Sequence, residues 1–181
     1  MNLLPVLAKI LDQNEIPYMI IGGQAVLLYG IPRLTRDIDI TLGLEATSVE
    51  KLLELVERVG LQVLVKDPRR FVAETWVLPT LHSETGLRVD FIFSWSPFEQ
   101  EALKRVREVI IEGYPVKFAS PEDVIIHKML AGRPRDLEDV QGILSKQKVD
   151  FERIRIWLAR FSEVAGRDLV QEFDQLLKKA T

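Results

Sequence analysis

Asp37 and Asp39 stand two residues apart in Asp37-Ile38-Asp39-Ile40-Thr41-Leu42, a run that alternates polar and apolar residues as a half-buried strand does. With that period both carboxylates project from one sheet face while Ile38 and Ile40 point into the core. Side by side they repel unless a cation is shared between them, and a hard divalent ion such as Mg2+ takes oxygen ligands of this kind. Arg88-Val89-Asp90-Phe91-Ile92-Phe93 is a second strand pattern, with Asp90 on one face and Val89, Phe91 and Phe93 on the other. If the two strands are neighbours, three carboxylates converge. Such a triad can hold two metals, one activating an attacking oxygen and the other neutralising a triphosphate and its leaving group. Spacing alone leaves a second account open, in which Asp37 starts a turn, Asp39 is a solvated strand residue and Asp90 is an edge charge. Against it, Asp is disfavoured in strands and these three are flanked by β-formers.

Gly22-Gly23 follows an apolar run and precedes a helical one, an arrangement in which backbone N–H groups at a helix start can bind phosphate. The other reading is a tight turn that needs positive φ. Arg33 and Arg36 flank Thr35 just before the Asp pair and can pair with Asp37 or reach a phosphate. Lys128 lies among Ile125, Ile126 and Met129, so its charge either reaches water or is held by an anion. Asp136 and Asp139 are three apart at the start of the next helix, where the helix dipole favours negative charge. Helix capping and a salt bridge to Arg133 or Arg135 account for Asp136 equally well. Residues 128–160 carry a basic surplus that suits either a polynucleotide backbone or a solvated helix face. His82 and His127 are the only histidines, too few for a His-rich metal site, and read as surface or capped residues. Trp76, Trp95 and Trp157 read as core or interface anchors, with base stacking as the alternative.

These groups need elements to position them. Leu3, Leu4, Leu7, Ile10 and Leu11 have helical spacing and predict a helix over 2–13. A buried strand follows at 18–21, then the glycine turn, then a short helix ended by Gly30 and Pro32. After the Asp37 strand, an amphipathic helix is predicted over 48–59 with Thr47 or Ser48 as its N-cap. Strand-like segments come at 61–65, 71–78 and 87–93. A helix near 97–105 is capped by Ser96 with Pro97 at its first position, and strands at 107–111 and 114–118 turn at Glu112-Gly113. From Ser120 onward the pattern is helical, over 121–131, 136–145, 150–160 and 163–179, with Ser162 as the last separator. The expected division is a core of 1–119 and a helical region of 120–181 packed on it.

With 181 residues the chain is of one-domain size, and 47% apolar against 28% charged residues is an ordinary globular composition. A formal charge of -3 excludes a nucleic-acid binder that works by overall basicity. The absence of cysteine removes disulfides, Cys-based zinc sites and thiol nucleophiles together. The N-terminus has neither a basic leader nor a long apolar run, so a soluble cytoplasmic protein with no membrane partner is expected.

Taken together, Ile20-Ile21-Gly22-Gly23-Gln24-Ala25-Val26, Tyr29-Gly30-Ile31-Pro32-Arg33-Leu34-Thr35-Arg36-Asp37-Ile38-Asp39-Ile40 and Lys128 with Arg135-Asp136-Leu137-Glu138-Asp139 resemble the DNA polymerase β-type nucleotidyltransferase superfamily. The likeness is to its AbiEii-type (abortive infection, type IV toxin–antitoxin) branch in particular. The resemblance implies an α+β nucleotidyltransferase fold, a mixed sheet with helices on one face, followed by a helical C-terminal region. It implies NMP transfer from an NTP to an acceptor hydroxyl with pyrophosphate release. Two Mg2+ ions, replaceable by Mn2+, would sit on Asp37, Asp39 and Asp90. Gly22, Gly23, Arg33 and Lys128 would bind the triphosphate, Lys128 also acting in catalysis, with Arg36, Asp136 and Asp139 behind them. The implied acceptor is RNA, for example a tRNA, and a cognate antitoxin is expected. A partner protein as acceptor, in an antitoxin or regulator, and a silent nucleotide- or partner-binding module are the alternatives. Gly23 departs from the serine common in the superfamily.

Overall fold

The computed structural model of the protein describes residues 2–94 and 96–180, the last two by their backbone alone. Trp95 therefore lies outside the described residues. The strands are β1 (Tyr18–Ile21), β2 (Asp37–Leu42), β3 (Leu61–Val63), β4 (Val77–His82), β5 (Arg88–Phe93), β6 (Arg107–Ile111) and β7 (Tyr114–Phe118). The helices are α1 (Leu3–Gln13), α2 (Gly22–Tyr29), α3 (Val49–Arg58), α4 (Pro68–Thr75), α5 (Pro97–Leu103), α6 (Pro121–Ala131), α7 (Pro134–Lys146), α8 (Phe151–Ala165) and α9 (Leu169–Ala180). Among the described residues no helix is long and apolar enough to cross a membrane.

The chain divides into two compact units. The first comprises Met1–Gln24 and Thr35–Ala119, the second Ala25–Leu34 and Ser120–Thr181, so the division falls inside α2. All seven strands belong to the first unit and form one mixed sheet in the order β3-β4-β5-β2-β1-β7-β6. β2 pairs parallel with β5 and antiparallel with β1, and β1 pairs parallel with β7. Ile38, Ile40, Leu42, Val89, Phe91 and Phe93 are buried on one face. There Phe91 meets Leu7 and Leu11 of α1 and Leu52, Leu55 and Val56 of α3 around a small apolar cavity. Burial contributes roughly 1.5–3 kcal/mol for each such side chain. Asp12 ties the C-terminal end of α1 to β7: it pairs with Lys117 Nζ at 2.6 Å and accepts from the Tyr114 hydroxyl at 3.0 Å. The Lys117 ammonium also lies 5.3 Å from the centre of the Tyr18 ring.

In the second unit α6 packs against α7, α8 and α9, and α9 packs against α7 and α8. Ser120 caps α6, its hydroxyl accepting from Asp123 N–H at 3.2 Å, with Pro121 in the first turn. Buried Glu122 accepts from Asp150 N–H at 3.1 Å and pairs with Arg153 at 2.8 Å, which fixes the entry to α8.

Three local expectations are corrected. The segment 71–78 is helix α4 followed by the start of β4. Asp67 accepts from Arg70 N–H at 3.1 Å, Pro68 opens the first turn and Arg70 pairs with Glu74 one turn on at 2.8 Å. Ser48 occupies the N-cap of α3 but its side chain caps nothing, because a 3-10 turn over Ala46–Ser48 leads into the helix. Ser162 does not break the chain. Its hydroxyl donates to Leu158 O at 2.8 Å inside α8, which runs on to Ala165 and stops at Gly166, φ 62°.

Candidate active site

The parallel register of β2 and β5 sets Asp37 opposite Arg88 and Asp39 opposite Asp90. Directly paired residues share a face, so the three carboxylates and Arg88 lie on one side of the sheet while Ile38, Ile40, Val89 and Phe91 are buried on the other. Asp37 is exposed; Asp39 and Asp90 are half-buried. On the other flank of β2, Ile21 stands opposite Asp39, so the chain leaves β1 beside that carboxylate and turns at once into α2.

The turn is glycine for two different reasons. Gly22 has φ 62°, a left-handed conformation that disfavours any side chain, and a Cβ there would fall 2.8 Å from Asp39 Cγ. Gly23 has no positive φ, and what excludes a side chain is the Thr35 hydroxyl, the atom nearest to where the Cβ of residue 23 would be. The Asp37 carbonyl accepts from Thr35 Oγ1 and from Gln24 Nε2, each at 3.4 Å. Arg36 is exposed, and its carbonyl accepts from Arg88 N–H at 3.3 Å. Thr41, two residues beyond Asp39 and on the same face, is fully buried, and its hydroxyl has no hydrogen-bond partner among the described residues.

Sequence reasoning missed Arg88. Its Nε donates to both oxygens of Asp90, at 2.9 and 3.0 Å. That hydrogen bond raises the pKa of the guanidinium; burial opposes the rise and the fields of Asp90, Asp37 and Asp39 add to it. The signal was present, since Arg88 and Asp90 are two apart on a strand and so share a face. The donor set suits a hard cation, being all carboxylate oxygen. Asp39 and Asp90 are side by side in register. As the side chains lie, Arg88 supplies the counter-charge, and among the described residues no three His, Cys, Asp or Glu side chains form a group disposed to hold a metal ion. Asp39 and Asp90, paired in register, are the residues that would hold a divalent ion, and in this arrangement Asp90 is paired with Arg88 instead.

Arg33, Lys128, Asp136 and Asp139 lie in the second unit, where they neutralise one another. Lys128 Nζ reaches Asp136 Oδ1 at 2.6 Å and Asp139 Oδ2 at 2.9 Å. Arg33 grips Asp139 with Nε and a terminal nitrogen, both at 2.9 Å. Asp136 also accepts from Arg133 N–H at 3.3 Å, closing the first turn of α7. Burial works against the charge on Asp139, but the hydrogen bonds from Arg33 and Lys128 outweigh it and hold the carboxyl below its usual range. The partners of Asp136 are thus Lys128 and a backbone N–H. Part of the basic surplus of 128–160 is committed as well: Arg153 pairs with Glu122, Arg155 with Asp174 at 2.8 Å, and Arg160 stacks 4.7 Å from the centre of the half-buried Trp157 ring, while Arg133, Arg135, Lys146 and Lys148 are exposed. His82 is buried in its hairpin, where Nδ1 and Thr85 Oγ1 are 2.9 Å apart.

Comparison with known proteins gives a family-level match. A family model described as "Nucleotidyltransferase of unknown function (DUF6036)" matches residues 2–176. No curated protein matches the chain at a significant level. Among solved structures, the antibiotic-resistance factor ANT(2'')-Ia superposes with a TM-score of 0.64 at 18% identity, covering 90% of each chain. An antigenic nucleotidyltransferase-like protein from Paracoccidioides brasiliensis gives 0.60 at 20% identity, covering 97% of this chain and 90% of that one. The lincosamide antibiotic adenylyltransferase LnuA, solved with lincomycin bound, gives 0.56 at 19% identity, covering 77% and 93%. These likenesses extend the fold assignment, a mixed sheet followed by a helical C-terminal region, to known nucleotidyltransferases.

Proposed function

The chain belongs to the DUF6036 nucleotidyltransferases, and from that premise we propose that it transfers a nucleoside monophosphate from an NTP to an acceptor hydroxyl, releasing pyrophosphate. The observation that carries the proposal is the register of β2 and β5, which pairs Asp39 with Asp90 two residues from Asp37 and beside the Gly22-Gly23 turn. Asp37, Asp39 and Asp90 would hold Mg2+, with Mn2+ as a substitute; in the two-ion arrangement Asp37 and Asp39 would be shared. Such an ion, when bound, acidifies the acceptor hydroxyl and offsets triphosphate charge. The acceptor oxygen attacks the α-phosphorus, a P–O bond forms, the bond to the β-phosphate breaks, and the hydroxyl proton passes to Asp90 once Arg88 has released it. Backbone N–H groups of Gly22 and Gly23, at the positive end of α2, receive the phosphates. Arg33 and Lys128, each held by carboxylates, are assigned to fixing the segment 25–34 against α6 and α7.

Two acceptors are distinguished by experiment. The AbiEii resemblance supports RNA, with an antitoxin as partner. A small-molecule hydroxyl is favoured by the ion pairing of Arg153 and Arg155 and by the closure of Lys128, which leave less basic surface for a polynucleotide. ANT(2'')-Ia, solved with adenylyl-2''-tobramycin, and LnuA are described with acceptors of this second kind. The test incubates the protein with Mg2+ and each α-labelled NTP, adding total RNA, lysate protein or a small-metabolite fraction separately. The Asp37→Ala/Asp39→Ala variant is the control. Label on RNA supports the toxin-like reading, label on a small molecule the second, and label on a protein band a regulator. Loss of all transfer, with NTP still bound, means a silent binding module.

A further inference from the structure

Gly23 is an unexplained choice for a helix position. It stands in the first turn of α2 and its backbone is not left-handed, so conformation does not require glycine there. Space does. Thr35 leans into the volume that a side chain at 23 would occupy, and its hydroxyl lies nearer than its methyl, which is 3.5 Å from the absent Cβ. The hydroxyl therefore faces the start of α2. In that position its sole hydrogen bond among the described residues is the 3.4 Å contact to the Asp37 carbonyl, beyond the range of a good O–H···O bond. The neighbouring glycine follows the same logic, since Gly22 makes room for the Asp39 carboxylate. Two successive glycines thus each yield their side-chain volume to a polar group from the 35–39 segment.

We propose that Thr35 is the phosphate-binding hydroxyl of the nucleotide site, delivered from the strand side to the position a serine at residue 23 would serve. The inference rests on the nucleotidyltransferase reading and adds a residue to it. Thr35 exchanges its long bond to the Asp37 carbonyl for a short one to a triphosphate oxygen, beside the Gly22 and Gly23 N–H groups. Hydrogen bonds to charged groups are the stronger class, worth about 1.5–3 kcal/mol. Removing this one lowers triphosphate affinity at least about tenfold.

The experiment is calorimetric titration of the full-length protein with each of the four NTPs and the corresponding NMPs, all with Mg2+. Thr35→Val, which keeps shape and removes the hydroxyl, is expected to weaken NTP binding at least about tenfold while NMP binding changes little. Thr35→Ser is expected to bind as the wild type does. The relocation variant Gly23→Ser/Thr35→Ala, which moves the hydroxyl across the gap, is expected to recover most of the loss that Thr35→Ala alone produces. Melting curves of each variant separate lost binding from lost fold, and the serine variant and the relocation carry the test if the valine variant melts early. Wild-type and Thr35→Val proteins binding NTP equally, or a relocation variant no better than Thr35→Ala, overturns the role of Thr35 while leaving the nucleotide site standing. A wild type that binds none of the four NTPs overturns the nucleotidyltransferase reading, and this inference with it.

Discussion

At the scale of single residues, the site depends on close approach. Gly22→Ala would force an L side chain into a left-handed conformation, about 1–2 kcal/mol by itself, and drive its Cβ onto the Asp39 carboxylate. Two effects are expected: a loss of roughly 2 kcal/mol in denaturant melts, and a fall in transfer rate of about a hundredfold, the usual consequence of misplacing a reacting group by an ångström. Arg88 makes the opposite prediction. Its side chain is half exposed, so its pair with Asp90 contributes no more than about 1 kcal/mol. A divalent ion competing for Asp90 overcomes at most that amount, so Arg88→Ala should tighten Mn2+ binding by up to about fivefold. A titration of Mn2+ into wild type and variant measures it. Unchanged or weaker binding would mean that Arg88 does not compete with the metal.

At the scale of elements, the Arg33, Lys128, Asp136 and Asp139 group fastens α6, α7 and the 31–34 segment within the second unit. Removing one member of a buried ion pair costs about 3–5 kcal/mol. Asp139→Ala, which deprives two cations at once, is expected near that range in urea melts. Arg33→Ala should cost less, because Arg33 is partly exposed and Asp139 keeps Lys128. Equal losses would mean that the two contacts act as one unit. Local chemistry made most elements legible: the Ser96 and Ser120 caps with prolines after them, the period of two in β2 and β5, and the Glu112-Gly113 turn all act within a few residues. The failures occurred where that chemistry was ambiguous. Phe71, Val72 and Trp76 look strand-like, yet the Asp67 cap and the Arg70–Glu74 pair make the helix. Ser162 looks like a separator until its hydroxyl is satisfied inside α8. The shared face of Asp37, Asp39 and Asp90 was readable because strand parity fixes it. The contact of Thr35 with Gly23 and the grip of Arg33 on Asp139 were not, since nothing local records which distant residue a side chain will meet.

At the scale of the whole molecule, the two units differ in how they carry charge. Among carboxyls held below their usual range, Glu122 and Asp139 are buried and belong to the second unit, while Glu50 and Glu101 of the first are exposed, beside Arg69 and Lys104. For Glu122 burial again opposes ionisation, and backbone hydrogen bonds and Arg153 outweigh it. A carboxyl whose pKa is lower folded than unfolded stabilises fully above the unfolded value of about 4, and that stabilisation disappears as pH falls through the folded value. Acidification below about pH 4 should therefore loosen the helices of 120–181 before the sheet. Amide exchange followed from pH 5 to pH 2 tests this, and simultaneous loss of protection in both units would contradict it. The β2–β5 register has a consequence for refolding. Reactive and core residues alternate along the same two strands, so a slip by one position would turn Asp90 inward and Phe91 and Phe93 out to water. Such a chain loses its hydrophobic anchor in the same event that scrambles its chemistry. Protein recovered from denaturant should then partition into competent molecules and aggregate, with the soluble fraction keeping a constant specific activity however low the yield.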